Sequence, residues 1–201
     1  MPGVPVRRAR REPRRRELFV PDIIVDDDFR DRRDHRRGRR LSALEVTALM
    51  IGLISDTHGL MRESALRALR GVDRILHAGD VGTPDVLDRL RAIAPVNAVA
   101  GNVDAPDSGL PASFETELLG QRIHMSHGHE LGSPTPEALV ARYDADILIY
   151  GHTHRALLKE LRGTLVINPG AAGAARFKLE PSIALLSLPD RQVRIVVLEG
   201  A

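Results

Sequence analysis

Asp56 and His58 stand two residues apart at the end of an apolar run, LMIGLISDTHG, residues 49–59. Similar pairings of short polar donors with glycine recur along the chain: Gly79-Asp80, Gly101-Asn102-Val103-Asp104, His127-Gly128-His129 and Gly151-His152-Thr153-His154. Two carboxylates, an amide oxygen and several imidazoles, with no sulfur, form a mixed oxygen and nitrogen donor set. That set suits Mn, Fe, Zn, Ni or Co better than Ca, which prefers oxygen alone. Seven candidate donors, Asp56, His58, Asp80, Asn102, His127, His152 and His154, exceed what one octahedral ion with room for water can use. Two ions sharing a bridging carboxylate use them economically.

The elements that must position these donors are short. From Met50 onward, apolar runs alternate with helical patterns. MIGLIS (50–55), RILHAGD (74–80) and VNAVAG (96–101) read as buried strands, separated by helices over 62–71 and 83–94. The second of these helices opens with Thr83 as cap and Pro84 at the first helical position. Strand–helix–strand–helix–strand is the signature of a parallel sheet with crossover helices. The second half turns β-rich. Residues 113–120 and 121–128 read as a hairpin turning near Gly120, 135–145 as a helix, 146–151 as a buried strand, and 155–201 mostly as strands. Each donor motif follows a strand. Beyond the carboxyl ends of strands is where α/β sheets bind ligands, and glycine there permits sharp turns or close approach. The expected class is α/β, with two packed sheets and helices outside.

Composition sets the remaining bounds. With no cysteine, disulfides, thiolate metal sites and cysteine nucleophiles are excluded, and a cytoplasmic location fits. Residues 1–49 carry 14 Arg against 9 acids, and residues 50–201 carry 15 Lys and Arg against 18 acids. The high pI therefore comes from an Arg-rich extension, expected to be disordered because it has too few apolar residues to offset ordering entropy. Three readings of it stand: a start codon placed too far upstream, with Met50 the natural start, is preferred over a solvated tail, and a solvated tail over a nucleic-acid-binding arm. Residues 50–201 form the expected domain. The apolar run at 41–55 is interrupted by Glu45 and too short to span a membrane.

The ordered set D-x-H, G-D, G-N-x-D, H-G-H and G-H-T-H, over residues 50–188, resembles the calcineurin-like metallophosphoesterases, and the size and early SDTHG resemble their small YfcE-type phosphodiesterases. The resemblance implies a four-layer αββα sandwich of two mixed β-sheets flanked by helices. It implies that Asp56, His58 and His154 hold one divalent ion and Asn102, His127 and His152 a second, with Asp80 bridging. Manganese is the leading expectation, ahead of Ni, Fe, Zn or Co. It implies a phosphodiesterase in which a metal-bridging hydroxide, formed from water acidified by the metal to a pKa of about 7, attacks phosphorus in line. Asp80, Asn102 and His129 are its expected catalytic residues. The expected partner is a small phosphate ester, with self-association and nucleic acid on the Arg-rich arm as lesser expectations and no membrane. A phosphomonoesterase and a non-catalytic scaffold resembling the retromer subunit are the alternatives.

Two positions depart from the family pattern. Many relatives carry His after the Asn of the third motif, where it can protonate a leaving group; here Val103 stands. At the end of the TLVINPG run, Asn168-Pro169-Gly170-Ala171 replaces N-P-G-S. The other histidines have plainer readings. His77 is expected as a core or supporting group, and His124 on the strand face opposite Ile123 and Met125. Asp104 is expected to shape its loop.

Overall fold

A computed structural model describes residues 48–174 and 179–199. The Arg-rich arm before residue 48 lies outside the described residues. The elements run β1 (Leu49–Ile54), α1 (Glu63–Ala68), β2 (Arg74–His77), α2 (Pro84–Arg91), β3 (Val96–Ala98), β4 (Ser113–Leu118), β5 (Gln121–Ser126), α3 (Pro136–Arg142), β6 (Ile147–Ile149), β7 (Leu157–Leu161), β8 (Thr164–Asn168), β9 (Ser182–Leu188) and β10 (Gln192–Val197).

They build two five-stranded mixed sheets, ordered β10-β9-β1-β2-β3 and β4-β5-β6-β8-β7. In the first, β1, β2 and β3 are parallel, with Ile51 opposite Arg74 and Ile75 opposite Val96, while β9 returns antiparallel beside β1. In the second, β5, β6 and β8 are parallel, and β4 and β7 close the edges antiparallel. The two-residue turns Leu119-Gly120 and Arg162-Gly163 join β4 to β5 and β7 to β8; all four residues have positive φ, the backbone that tight hairpins require.

Three apolar clusters separate four layers. Ile51, Leu53 and Leu76 of the first sheet meet Ile123, Met125, Ile147 and Ile167 of the second. On the outer face of the first sheet, Met50 and Ile54 pack with Ala65 and Leu69 near α1 and with Val86, Leu87 and Leu90 of α2. Outside the second, Leu148, Tyr150 and Val166 pack with Leu139 of α3. Buried on both faces, β1 needs a continuous apolar run rather than alternation. Gly52 interrupts that run because a Cβ there would overlap Leu69.

The helices are shorter than their sequence patterns. The chain after α1 tightens into bonds from Arg70 N to Arg67 O and from Val72 N to Leu69 O, three residues apart, before Gly71 turns with φ +80. After α2, Ile93 N bonds Leu90 O in the same way, ahead of Pro95. Thr83 caps α2 without a side-chain bond, whereas Thr135 Oγ1 accepts from Ala138 N at the start of α3. β3 stops at Ala98 because Ala100 N turns away to Pro111 O.

Candidate metal centre

All parallel strands of both sheets deliver their carboxyl ends to one seam. The seam is stitched by backbone: Asp56 N donates to Gly79 O, Gly151 N to His127 O, and Ala172 N and Gly173 N to Ser55 O and Asp56 O. Glycine makes the closeness possible. A Cβ on Gly101 would overlap the carboxylate and backbone of Asp80, and one on Gly151 would run into Ser55 and Asp56. These glycines make room for the site's own carboxylates, not only for a ligand.

Asp56, His58, Asp80 and His154 converge there, each offering one donor atom, with these atoms all within 4.8 Å of one another. His154 Nε2 lies 3.2 Å from Asp56 Oδ1 and 3.3 Å from His58 Nε2. Asp80 faces two ways: Oδ2 is 3.7 Å from His58 Nε2, and Oδ1 is 3.4 Å from His127 Nε2. On the His127 side, the rings of His127 and His152 lie 5.3 Å apart, and His152 Nδ1 is 3.0 Å from Asn102 Oδ1. The ring of His129 lies 5.4 Å from His127 and 6.3 Å from His152. Every donor expected from the sequence therefore stands on this seam, four in one tight cluster and the others beside it.

The residues fit a cation. Asp56 is completely buried, yet neither of its carboxylate oxygens has a hydrogen-bond partner among the described residues. A buried, unsatisfied carboxylate is costly unless a positive charge completes it. The field points the same way. Burial pushes Asp80 upward, but the hydrogen bond from His127, the Val103 N–H and the nearby imidazoles hold it at about 2. Burial lowers His127, yet Asp80, the charge of Asp56 and the Ala78 carbonyl raise it above its ordinary value. A site that draws a proton onto a buried imidazole also attracts a metal ion. Local backbone is bent to the same end: Asp56, His58, Asp80, His152 and His154 all have φ between 47° and 64°.

The supporting groups were only partly visible in the sequence. His77 is buried, held down at about 4 mainly by that burial, and lies 3.0 Å from Thr57 Oγ1, so it is a neutral support. Asp104 accepts from the N–H groups of Val81, Gly82 and Gly101, shaping its loop as expected. His124 faces away from the core between the sheets, stacked 3.9 Å from Tyr143 and paired with Glu115. Sequence reading missed Glu130. Its carboxylate accepts from Ser126 Oγ at 2.7 Å, Tyr143 Oη at 2.9 Å and Gly128 N at 2.9 Å, closing a clamp around His127. Asn168 was noted only as part of a turn, but its amide donates to Gly151 O and Thr153 Oγ1 and steadies the His152–His154 loop.

Residues 49–191 match the calcineurin-like phosphoesterase superfamily domain. The chain belongs to that superfamily. It is 36% identical over 157 residues to a probable metallophosphoesterase of Methanothermobacter thermautotrophicus, covering 72% of this chain and 89% of that protein. It is 25% identical to a phosphodiesterase of Methanocaldococcus jannaschii, covering 75% of this chain and all of the relative. Among solved structures, a single mutant of Vps29 from Entamoeba histolytica aligns with a TM-score of 0.62 at 28% identity, over 76% of this chain and 100% of that one. As a calcineurin-like phosphoesterase, the chain has the four-layer fold expected from its motifs, and its cluster of carboxylates and imidazoles is a candidate divalent-metal site.

Proposed function

We propose that this phosphoesterase is a phosphodiesterase with two divalent ions, manganese foremost, acting on a small phosphate ester. The observation that carries the reading is Asp80, whose two oxygens face separate imidazoles, His58 and His127. Asp56, His58 and His154 would hold one ion and Asn102, His127 and His152 the other, with Asp80 between them. When bound, such a pair supplies Lewis-acid charge and a water acidified enough to act at neutral pH.

The chain's own groups supply position and proton control. Asp56 and Asp80 are buried, so their carboxylates are held in place away from bulk solvent. Asn102 is exposed and His129 half-buried, so both can reach a substrate. Val103 holds no proton, which leaves His129 as the imidazole available to the leaving group and favours esters with good leaving groups. Replacing Val103→His is expected to raise kcat on poor leaving groups selectively; a uniform effect across leaving groups would refute this role for position 103. The phosphodiesterase relative supports the diester over the monoester reading.

A scaffold role is the second reading, favoured by the likeness to Vps29. Full-length protein, stripped of metal and reloaded with Mn, Ni, Zn or Mg, would be assayed on a chromogenic phosphodiester and its monoester, with Asp80→Ala as control. Metal-dependent diester turnover lost in the variant supports the enzyme. Metal binding without turnover of either ester would shift weight to the scaffold.

A further inference from the structure

Four large apolar side chains are well exposed among the described residues: Leu60 (44%), Val103 (49%), Leu158 (37%) and Val197 (42%). Two of them stand directly after donor motifs, Leu60 behind Asp56-Thr57-His58-Gly59 and Val103 behind Gly101-Asn102. Isolated exposed apolar residues are ordinary on protein surfaces. These two follow donor motifs directly, on loops tied by backbone to the segment that carries Asp80, and the other groups beside the donors, Asn102, His129 and His152, are polar.

The loops that carry them are tied to the same segment, residues 80–82. From one side, His58 N donates to Asp80 O at 2.9 Å, Gly59 N to Val81 O at 2.8 Å, and Leu60 N back to Thr57 O at 2.9 Å. From the other, Val103 N donates to Asp80 Oδ1 at 3.0 Å. The Asp104 carboxylate ties Gly101 N, Val81 N and Gly82 N together at 2.8, 3.2 and 2.8 Å. Gly82 lies so close to the 58–59 backbone that a Cβ would overlap it. Leu60 and Val103 are thus two apolar groups pinned on either side of the segment that carries Asp80.

We propose that Leu60 and Val103 form an apolar seat for one ester substituent of the substrate, so that the enzyme favours phosphoesters bearing an aromatic or extended apolar arm over those with a short one. The inference rests on the phosphoester reading above. A phosphoryl group held among the donors must point its substituents outward past these loops. Neither side chain forms hydrogen bonds, so the selection works by removing apolar surface from water, and partial burial of one ring corresponds to about ten-fold in affinity.

The test uses the full-length, Mn-loaded protein and three single-arm ligands, methylphosphonate, n-butylphosphonate and phenylphosphonate, whose P–C bond is not an ester. Affinities are read by calorimetry and by inhibition of chromogenic diester hydrolysis. Phenylphosphonate is expected to bind about ten-fold more tightly than methylphosphonate, with n-butylphosphonate between them. In the Leu60→Ser, Val103→Ser double variant the ratio should fall to within about two-fold, with metal content retained, while Val103→Leu should keep or widen it. Equal binding of the methyl and phenyl ligands by the wild type, or an unchanged ratio in the double variant, overturns the proposal. Phenyl preference without hydrolysis overturns the hydrolase reading and supports the seat; hydrolysis without preference overturns the seat alone.

Discussion

At the scale of single residues, the site is held in conformations that its side chains do not choose. Asp56, His58, Asp80, His152 and His154 occupy the left-handed region, where a residue with a Cβ costs roughly 1–3 kcal/mol unless its surroundings impose it. The imposing contacts are backbone bonds and a few side-chain acceptors, and Glu130 is the clearest of the latter. It spans His127 from Ser126 to Gly128 and reaches Tyr143 on the loop after α3. Glu130→Ala is expected to weaken cation affinity about 10- to 100-fold, and Glu130→Gln less, because one amide oxygen still accepts a bond. Burial pushes Glu130 upward, but its hydrogen bonds from Ser126, Tyr143 and backbone N–H groups bring it below its ordinary value. A lowered carboxylate stabilises the fold above its unfolded pKa and loses that contribution as pH falls through the folded value. The difference in melting temperature between metal-stripped wild type and Glu130→Gln should therefore be full near pH 7 and shrink below about pH 4.5. An unchanged difference at pH 3 would show that the clamp does not depend on the ionised carboxylate.

At the scale of elements, the seam exists because six parallel strands end together and glycine lets their loops touch. Gly101 shows the constraint best, since its added Cβ would strike Asp80 itself, backbone as well as carboxylate. Gly101→Ala should cost on the order of 2 kcal/mol or more and weaken cation binding, because relief requires Asp80 to move. Gly109→Ala, in open space at φ +73, should cost only about 1 kcal/mol and leave binding intact. Chemical denaturation with parallel metal titration distinguishes the two. This level was largely legible beforehand. Donor types beside glycine at strand ends located the seam, apolar runs located β1, β2, β3 and β6, and the hairpin pattern located β4 and β5. The rest was not legible, for physical reasons. Helix ends were decided by tightening turns after Ala68 and Arg91, and β9 entered beside β1 by long-range pairing that no local pattern encodes. Glu130 acts by accepting bonds from Ser126, Gly128 and Tyr143, a relation created only by folding.

At the scale of the whole molecule, two apolar sheets are pressed together up to an edge where a fully buried carboxylate, Asp56, has no hydrogen-bond partner among the described residues. Fold and site therefore oppose each other without a cation and reinforce each other with one. Breaking the compensation of a buried charge commonly costs several kcal/mol, whereas a ligand that binds only the folded state adds about 2.7 kcal/mol at a hundred times its Kd. For a domain of this size that gain corresponds to a rise of roughly 5–10 °C in Tm when Mn is added to stripped protein. Asp56→Asn should reverse both parts of the balance. Without metal the variant should melt above stripped wild type, because a neutral amide replaces a buried carboxylate that accepts no hydrogen bond among the described residues, and Mn should then move its Tm little. If stripped wild type proves the more stable, Asp56 is compensated within the chain and the buried carboxylate is not what the cation answers. If the variant keeps the full metal shift, the cation is held by other donors, and the cluster of Asp56, His58, Asp80 and His154 loses its standing as the metal centre.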